Sequence, residues 1–254
     1  MRYLAETHLN LHMLTNLLDQ VTFPRQEIIA LYFDRWEVET VATVCLPGEA
    51  PDPLFDPQLV VADGQASIER EGSTLTADSG AVIHTGDRLT TTGSGRLALA
   101  LPSGAELRIN ADTTVDVSGP DSVFLVAGMV YFETPLTPDE VPFTVNPNFG
   151  EVAHIGTQYA AAVDTSGLSV RVREGRTEIR ATAADIGDTA LIANAGEQVR
   201  LDSTGTASRT QFAVDHPDWS WTETLARAPF TGPSTVVDLV QWAARATGRE
   251  VSWS

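Results

Sequence analysis

The sequence predicts a mainly-β protein of short strands, solenoid-like or sandwich-like, with a helical segment before the strands and a small β-α-β fragment after them. Apolar and polar residues alternate with a period of two from about Leu59 to Phe212, as strands require. Glycine-containing turns interrupt this pattern roughly every 8–12 residues. A proline-rich stretch at 47–57 separates it from the preceding segment.

Composition and charge narrow the classes of function. The 254 residues include 34 acidic and 16 basic side chains, all 16 of them arginine, which gives a net charge of −18. Such a chain repels phosphate backbones, so the charge disfavours binding to nucleic acid. The hydrophobic fraction of 43% is typical of a folded core. The single cysteine, Cys45, cannot form an internal disulfide or a zinc site alone.

The chain shows no membrane or export segment by sequence. No run of 18 or more apolar residues occurs, so we expect no membrane-spanning helix. The N-terminus lacks the apolar stretch of a signal peptide. The sequence alone therefore predicts a soluble acidic protein without an export signal.

Residues 1–45 are predicted to be a helical leader, followed by a linker at 46–58. Ile28, Leu31, Tyr32 and Trp36 recur at helical spacing and share one face. The linker contains prolines and a glycine that neither a helix nor a sheet interior accommodates.

Residues 59–212 are predicted to be a β-domain built from hairpins. Leu97 and Leu99 alternate with small or charged residues, Ser103-Gly104 supplies a turn, and residues 105–110 repeat the alternation with their charges outward. We expect a second hairpin in which Glu174-Gly175 turns the chain and opposite charges face each other. A further turn is expected at Asp63-Gly64.

Residues 213–254 are predicted to be a separate tail with one clear helix. Ser234 or Thr235 caps this helix, Asp238 completes a capping box, and Gly248 ends it. With Phe230 before the helix and a strand over 250–253 after it, the tail reads as a β-α-β fragment.

The middle segment contains Thr85-Gly86-Asp87-Arg88-Leu89, then Val126-Ala127-Gly128-Met129-Val130-Tyr131-Phe132 and further short phrases, which together resemble the FecR domain family. One of them, Gly156-Thr157-Gln158-Tyr159, resembles the Gly-Thr-x-aromatic block of that family. The matching phrases occur in the family's order, at residues 85–89, 95–104, 126–132, 149–159, 170–175 and 195–199. Parts of the tail, at 219–221, 228–230 and 239–248, resemble the first half of the secretin/TonB short N-terminal module.

The resemblance implies a non-enzymatic signalling or sensing role. FecR-like regulators receive a signal in the periplasm from the signalling domain of a TonB-dependent transporter. They relay it to an extracytoplasmic-function sigma factor, often for iron uptake. The resemblance therefore implies a protein partner and a periplasmic, inner-membrane-associated location. The family's membrane helix and cytoplasmic segment have no counterpart in this sequence, so we expect a crippled regulator.

The leader contains Tyr32, Arg35 and Glu39 at a spacing that resembles the end of an IS4-type transposase catalytic domain. Tyr32, Arg35 and Glu39 fit its Tyr-x2-Arg-x3-Glu spacing, whereas Leu46 occupies the position of its lysine. Only 38 residues precede Glu39, so the two upstream aspartates of the family are missing. One carboxylate cannot hold two metal ions for phosphoryl chemistry, and we interpret the leader as an inactive fragment.

No catalytic motif occurs, and the sequence predicts neither enzyme activity nor a cofactor or metal. The candidate partner-binding residues are aromatic or apolar side chains of the tail and two arginines: Trp219, Trp221, Phe230, Trp242, Val251, Trp253, Arg171 and Arg173. Alternatively, the tryptophans close a small core against the β-domain and the arginines lie on a solvated hairpin face. A structural envelope or scaffold module is the rival function; an inactive transposase remnant is a third. The oligomeric state stays open.

Overall fold

The computed structural model describes residues 57–134, 143–181, 190–226 and 235–249, and it confirms the mainly-β fold. The strands are β1 (Gln58–Arg70), β2 (Ser73–Thr76), β3 (Arg88–Ala100), β4 (Glu106–Ile109), β5 (Thr114–Gly119), β6 (Ser122–Glu133), β7 (Thr144–Pro147), β8 (Gly150–Asp164), β9 (Gly167–Ala181), β10 (Leu191–Asn194), β11 (Glu197–Asp202) and β12 (Ala207–Gln211). A 3₁₀ helix (Pro217–Trp219) and helix α1 (Ser220–Leu225) follow, and helix α2 (Val236–Thr247) ends the described chain.

The twelve strands form one sheet in the order β12-β11-β9-β8-β7-β6-β4-β3-β1-β2. β5 pairs with β3 and β6, β10 pairs with β9, and β8 also pairs with β6. Every pairing is antiparallel except the short parallel one between β6 and β7. Consecutive strands are mostly neighbours, which suits short turns and needs no crossover helix.

The inner face of the sheet forms one apolar core. On the predicted hairpin, Leu97 of β3 lies opposite Ile109 of β4, and both side chains are fully buried. The same buried cluster includes residues of strands from β1 to β11. Alternation with period two therefore places one apolar face inward, as the sequence predicts.

Two predicted turns are wrong, because each glycine lies inside a continuous strand. β9 runs without reversal through Glu174-Gly175 and pairs with β8 on both sides of it, with register shifts on β8 near Gln158. Asp63-Gly64 lies within β1 at a similar shift in its pairing with β3. Gly64 and Gly175 have φ values of +69° and +70°. A left-handed residue of this kind produces a bulge as readily as a turn.

The predicted charge pairing across the second hairpin is accordingly replaced by pairing between neighbouring strands. Arg180 of β9 donates to Glu151 of β8 at 2.9 Å and pairs with Glu178 of its own strand at 2.5 Å. Its side chain is 58% exposed, so these ion pairs contribute little to stability.

A buried aspartate fastens the loop before β3. The Asp87 carboxylate accepts two hydrogen bonds from the guanidinium of Arg70, at 2.8 and 2.6 Å, and one from the backbone N–H of His84. Burial raises the pKa of Asp87, but these hydrogen bonds outweigh it and hold the pKa below its ordinary value of 3.8.

The chain divides into two compact units, and each is described by itself. The unit that contains the sheet ends at Ala226, and Trp219, Trp221 and Leu225 lie in a buried cluster with residues of the sheet.

Helix α2 belongs to the other unit and has the predicted ends. Thr235 and Asp238 form a reciprocal capping box, and Gly248 caps the C-terminus with a φ of +67°. Residues 1–56, Phe230, Val251 and Trp253 lie outside the described residues, so the leader and most of the linker stay predictions. Within the described ranges, no helix combines the length and the apolar character needed to cross a membrane.

Candidate protein-binding face

Strand register aligns seven residues in a row across the outer face of the sheet. Each member lies directly opposite the next on a neighbouring strand, so the row runs perpendicular to the strands. This cross-strand row consists of Val61, Ala98, Arg108, Tyr131, Ala160, Arg171 and Gln198. Its neighbours along the strands are core residues, for example Val130 and Phe132 beside Tyr131.

A segment that we call the strap, residues 212–226, covers this row. It begins where β12 ends and contains the 3₁₀ helix and α1. The imidazole Nδ1 of His216 accepts a hydrogen bond from the backbone N–H of Asp218, and Pro217 occupies the first helical position, where its missing N–H costs nothing. The Thr222 hydroxyl donates to the carbonyl of Trp219 at 2.8 Å. These local bonds explain why two short helical turns form here.

The strap seats two indoles on the row. Trp219 and Trp221 are only 2% and 8% exposed, and each meets the Tyr131 ring edge-on, at centroid distances of 5.9 and 6.4 Å. Ala98 and Ala160 are fully or almost fully buried in the same cluster. Because two positions of the row, 98 and 160, carry alanine, the indoles can approach the backbone of the sheet closely there.

Arg108 lies beneath the strap and is 3% exposed. Its guanidinium donates to the carboxylates of Glu106 and Glu133, the latter at 2.7 Å, and to the carbonyl oxygen of Thr222 at 2.8 Å. It also lies over the Tyr131 ring, 5.1 Å from the centroid. The two carboxylates balance the buried charge, and the strap completes its hydrogen bonding.

Arg173 holds the strap from β9. Its Nε donates to the carbonyl of Val214 at 2.9 Å, its Nη2 lies 3.3 Å from the Glu223 carboxylate, and its guanidinium lies 5.4 Å from the Trp219 ring centroid. The side chain is 1% exposed. A charge this deeply buried contributes to stability only while these partners are in place.

Arg171, also on β9, makes a more open set of contacts. Its guanidinium stacks 4.3 Å from the Phe212 ring centroid, and it donates to Gln198 at 2.9 Å and to Asp218 at 3.2 Å. The Phe212 ring in turn packs against His216, at 4.4 Å between centroids. Arg171 therefore fixes the point at which the chain leaves β12 and enters the strap.

Four of the predicted partner-binding residues meet at this face: Arg171, Arg173, Trp219 and Trp221. Their contacts are within the chain, which agrees with the alternative interpretation of the tryptophans as a small core on the β-domain. The alternative for the arginines, a solvated hairpin face, is wrong for Arg173, whose side chain is 1% exposed. Trp242 is half-buried on helix α2 in the other unit. Phe230, Val251 and Trp253 lie outside the described residues.

Sequence reasoning missed Arg108, Tyr131 and Glu133. Alternation correctly places all three on the outer face, but it does not show that this face is covered. Burial raises the pKa of the Tyr131 hydroxyl. The Trp-x-Trp pattern at 219–221 is the signal that points to a covering segment. In the described part of the chain, no three His, Cys, Asp or Glu side chains are grouped as a metal site would require.

Comparison with known proteins gives one family match. Residues 87–178 match the model of the family described as FecR protein. This range runs from Asp87 to Glu178, from the start of β3 into β9, and includes the row positions from Ala98 to Arg171. It does not reach the leader or the tail, so the transposase and secretin/TonB resemblances gain no support. No curated protein matches the chain at a significant level.

Two solved structures are similar to part of the chain. Both are of a candidate anti-sigma factor from Parabacteroides distasonis, at 1.65 and 2.50 Å resolution. They are 14% identical to this chain and superpose with TM-scores of 0.45 and 0.44. The alignments cover 63% and 64% of this chain, and 74% and 75% of the other.

Proposed function

We propose that this chain is a FecR-type signalling protein that acts through protein–protein contacts and without catalysis. In this proposal it receives a signal from the signalling domain of a TonB-dependent transporter and controls an extracytoplasmic-function sigma factor of the iron-uptake type. The observation that carries the proposal is the family match over 87–178, which spans the central strands of the sheet. The proposed location, periplasmic and associated with the inner membrane, rests on the same match.

The outer face supports a role in protein recognition. Arginine and aromatic side chains are enriched where proteins bind one another, and beneath the strap this face combines Arg108, Arg171 and Arg173 with Tyr131 and Phe212. The net charge of −18 fits a protein partner better than a nucleic acid.

A structural role in the envelope is the second candidate, and the sheet edges favour it. β2 and β12 are the two ends of the strand order, and every residue of both strands is exposed. Exposed edges pair with strands of other chains, as an assembling scaffold requires.

A transcription experiment separates the two candidates. We expect deletion of the gene to change transcripts that depend on the extracytoplasmic-function sigma factor encoded nearest to it by at least about tenfold under iron limitation. Complementation by the full chain restores the wild-type level. Unchanged transcripts together with a weakened envelope contradict the signalling proposal and support the structural one.

A further inference from the structure

The strap is held on the sheet in the way that a bound peptide is held. Among the described residues, the backbone–backbone hydrogen bonds of the strap after Phe212 join one strap residue to another. Its attachment to the sheet comes from side chains instead. Arg108 and Arg173 donate to the strap's carbonyl oxygens at Thr222 and Val214. A main-chain carbonyl is present in any peptide, so these contacts do not depend on the strap being part of the same chain.

The remaining contacts define the chemistry of an occupant. Trp219 and Trp221 fill the space over Tyr131, while the carboxylates of Asp218 and Glu223 meet Arg171 and Arg173. An occupant that reproduces them needs two aromatic side chains separated by one residue, with an acidic residue before and after. β9 supplies a cation to each of the two acidic residues that flank the aromatic pair, so this face favours an acidic occupant over a basic one.

The strap lies at the C-terminal end of the sheet-containing unit, so its release would free a length of chain. The sheet-containing unit ends at Ala226, where the strap ends, and the other unit resumes at Arg227. Release of the strap would free about 15 residues of chain after β12, roughly 50 Å when extended.

We propose that the outer face over the cross-strand row is a peptide-recognition site, which the strap fills in cis and a partner protein's acidic aromatic segment fills in trans. This inference rests on the proposed function for the existence of a protein partner. The site itself is defined by the strap contacts alone. A short tether gives the strap an effective concentration of about a millimolar or more, so a partner segment competes only if it binds more tightly than the strap does.

A synthetic peptide of residues 212–226 tests the site without an identified partner. We would titrate the fluorescein-labelled peptide with three full-length proteins and with one control variant, and follow its anisotropy. These are the wild type, the variant Trp219→Ala/Trp221→Ala, and the milder variant Asp218→Asn/Glu223→Gln, which weakens the strap and keeps its indoles. Leu75→Ala, which alters an exposed residue on the edge strand β2, is the matched control. A peptide with alanine at both tryptophan positions is the control ligand.

We expect the peptide to bind at least one strap variant about tenfold or more tightly than the wild type or Leu75→Ala, because the weakened strap no longer competes. The alanine peptide should show no saturable binding.

Equal, weak binding to all proteins, in variants whose β-sheet circular dichroism is intact, overturns the proposal. A wild-type dimer that the peptide converts to monomer also overturns it, since the occupant is then a second copy. If both variants lose the β-sheet spectrum, we would instead measure hydrogen exchange of the strap in the wild-type protein with excess peptide. Faster exchange of the strap supports the proposal, and unchanged exchange overturns it. None of these outcomes bears on the transcription experiment, so the two proposals fail separately.

Discussion

The substitution Arg173→Met tests whether arginines of the sheet hold the strap in place. The hydrogen bond to the Val214 carbonyl, at 2.9 Å from a guanidinium that is 1% exposed, is worth about 1.5–3 kcal/mol. The contact with Glu223 adds little, because that carboxylate is partly exposed. Methionine keeps the apolar stem against Trp219 and removes the charge together with its desolvation cost. We therefore expect the free energy of unfolding to fall by no more than that hydrogen bond is worth, about 1.5–3 kcal/mol.

Urea unfolding followed by far-ultraviolet circular dichroism measures this change, and tryptophan emission reports whether the indoles become exposed. Arg180→Met is the matched control, since Arg180 lies on the same strand but is 58% exposed. We expect it to cost less than about 1 kcal/mol and to leave the emission unchanged. Equal losses from the two substitutions, within about 0.5 kcal/mol, would refute the reasoning.

Three further predictions concern the sheet and helix α2. Gly128→Ala should lower the free energy of unfolding in urea by about 2 kcal/mol more than Gly80→Ala does. The two φ values are similar (+94° and +90°), but only a Cβ at 128 meets atoms within 3 Å. Equal losses would contradict this. Because the pKa of Asp87 is lowered by Arg70, its contribution to stability is present above the ordinary value of 3.8 and is lost as the pH falls below it. Unfolding free energies measured from pH 6 to pH 2 should therefore decline less in Asp87→Asn, and parallel curves would contradict this. Asp238→Ala should destabilise helix α2 by about 1 kcal/mol through loss of the capping box, seen as faster hydrogen exchange confined to that helix; unchanged exchange there would contradict it.

Local sequence patterns correctly predicted the structural features that depend on interactions between residues close together in the chain. The ends of helix α2 follow from Thr235, Asp238 and Gly248, because a capping box and a left-handed cap satisfy backbone groups within one helical turn. The hairpin at Ser103-Gly104 follows from alternation on both sides of a turn. In these places no distant residue is needed to choose the conformation.

The features that the sequence patterns missed depend on contacts between residues far apart in the chain. Glu174-Gly175 has the composition of a turn, but β9 continues through it because β8 pairs with the strand on both sides. Likewise, alternation places Arg108 and Tyr131 on the outer face without indicating that residues more than 80 positions away cover them. Register and the docking of the strap create the candidate site, and neither can be obtained from a local window of sequence.

Calorimetric titration of the full-length chain with the signalling domain of the TonB-dependent transporter encoded nearest to its gene tests the central claim most directly. We expect saturable 1:1 binding with a dissociation constant of about 10 µM or tighter, within the range of specific signalling contacts. The absence of detectable binding at about 200 µM of either protein, with both folded, would contradict the account.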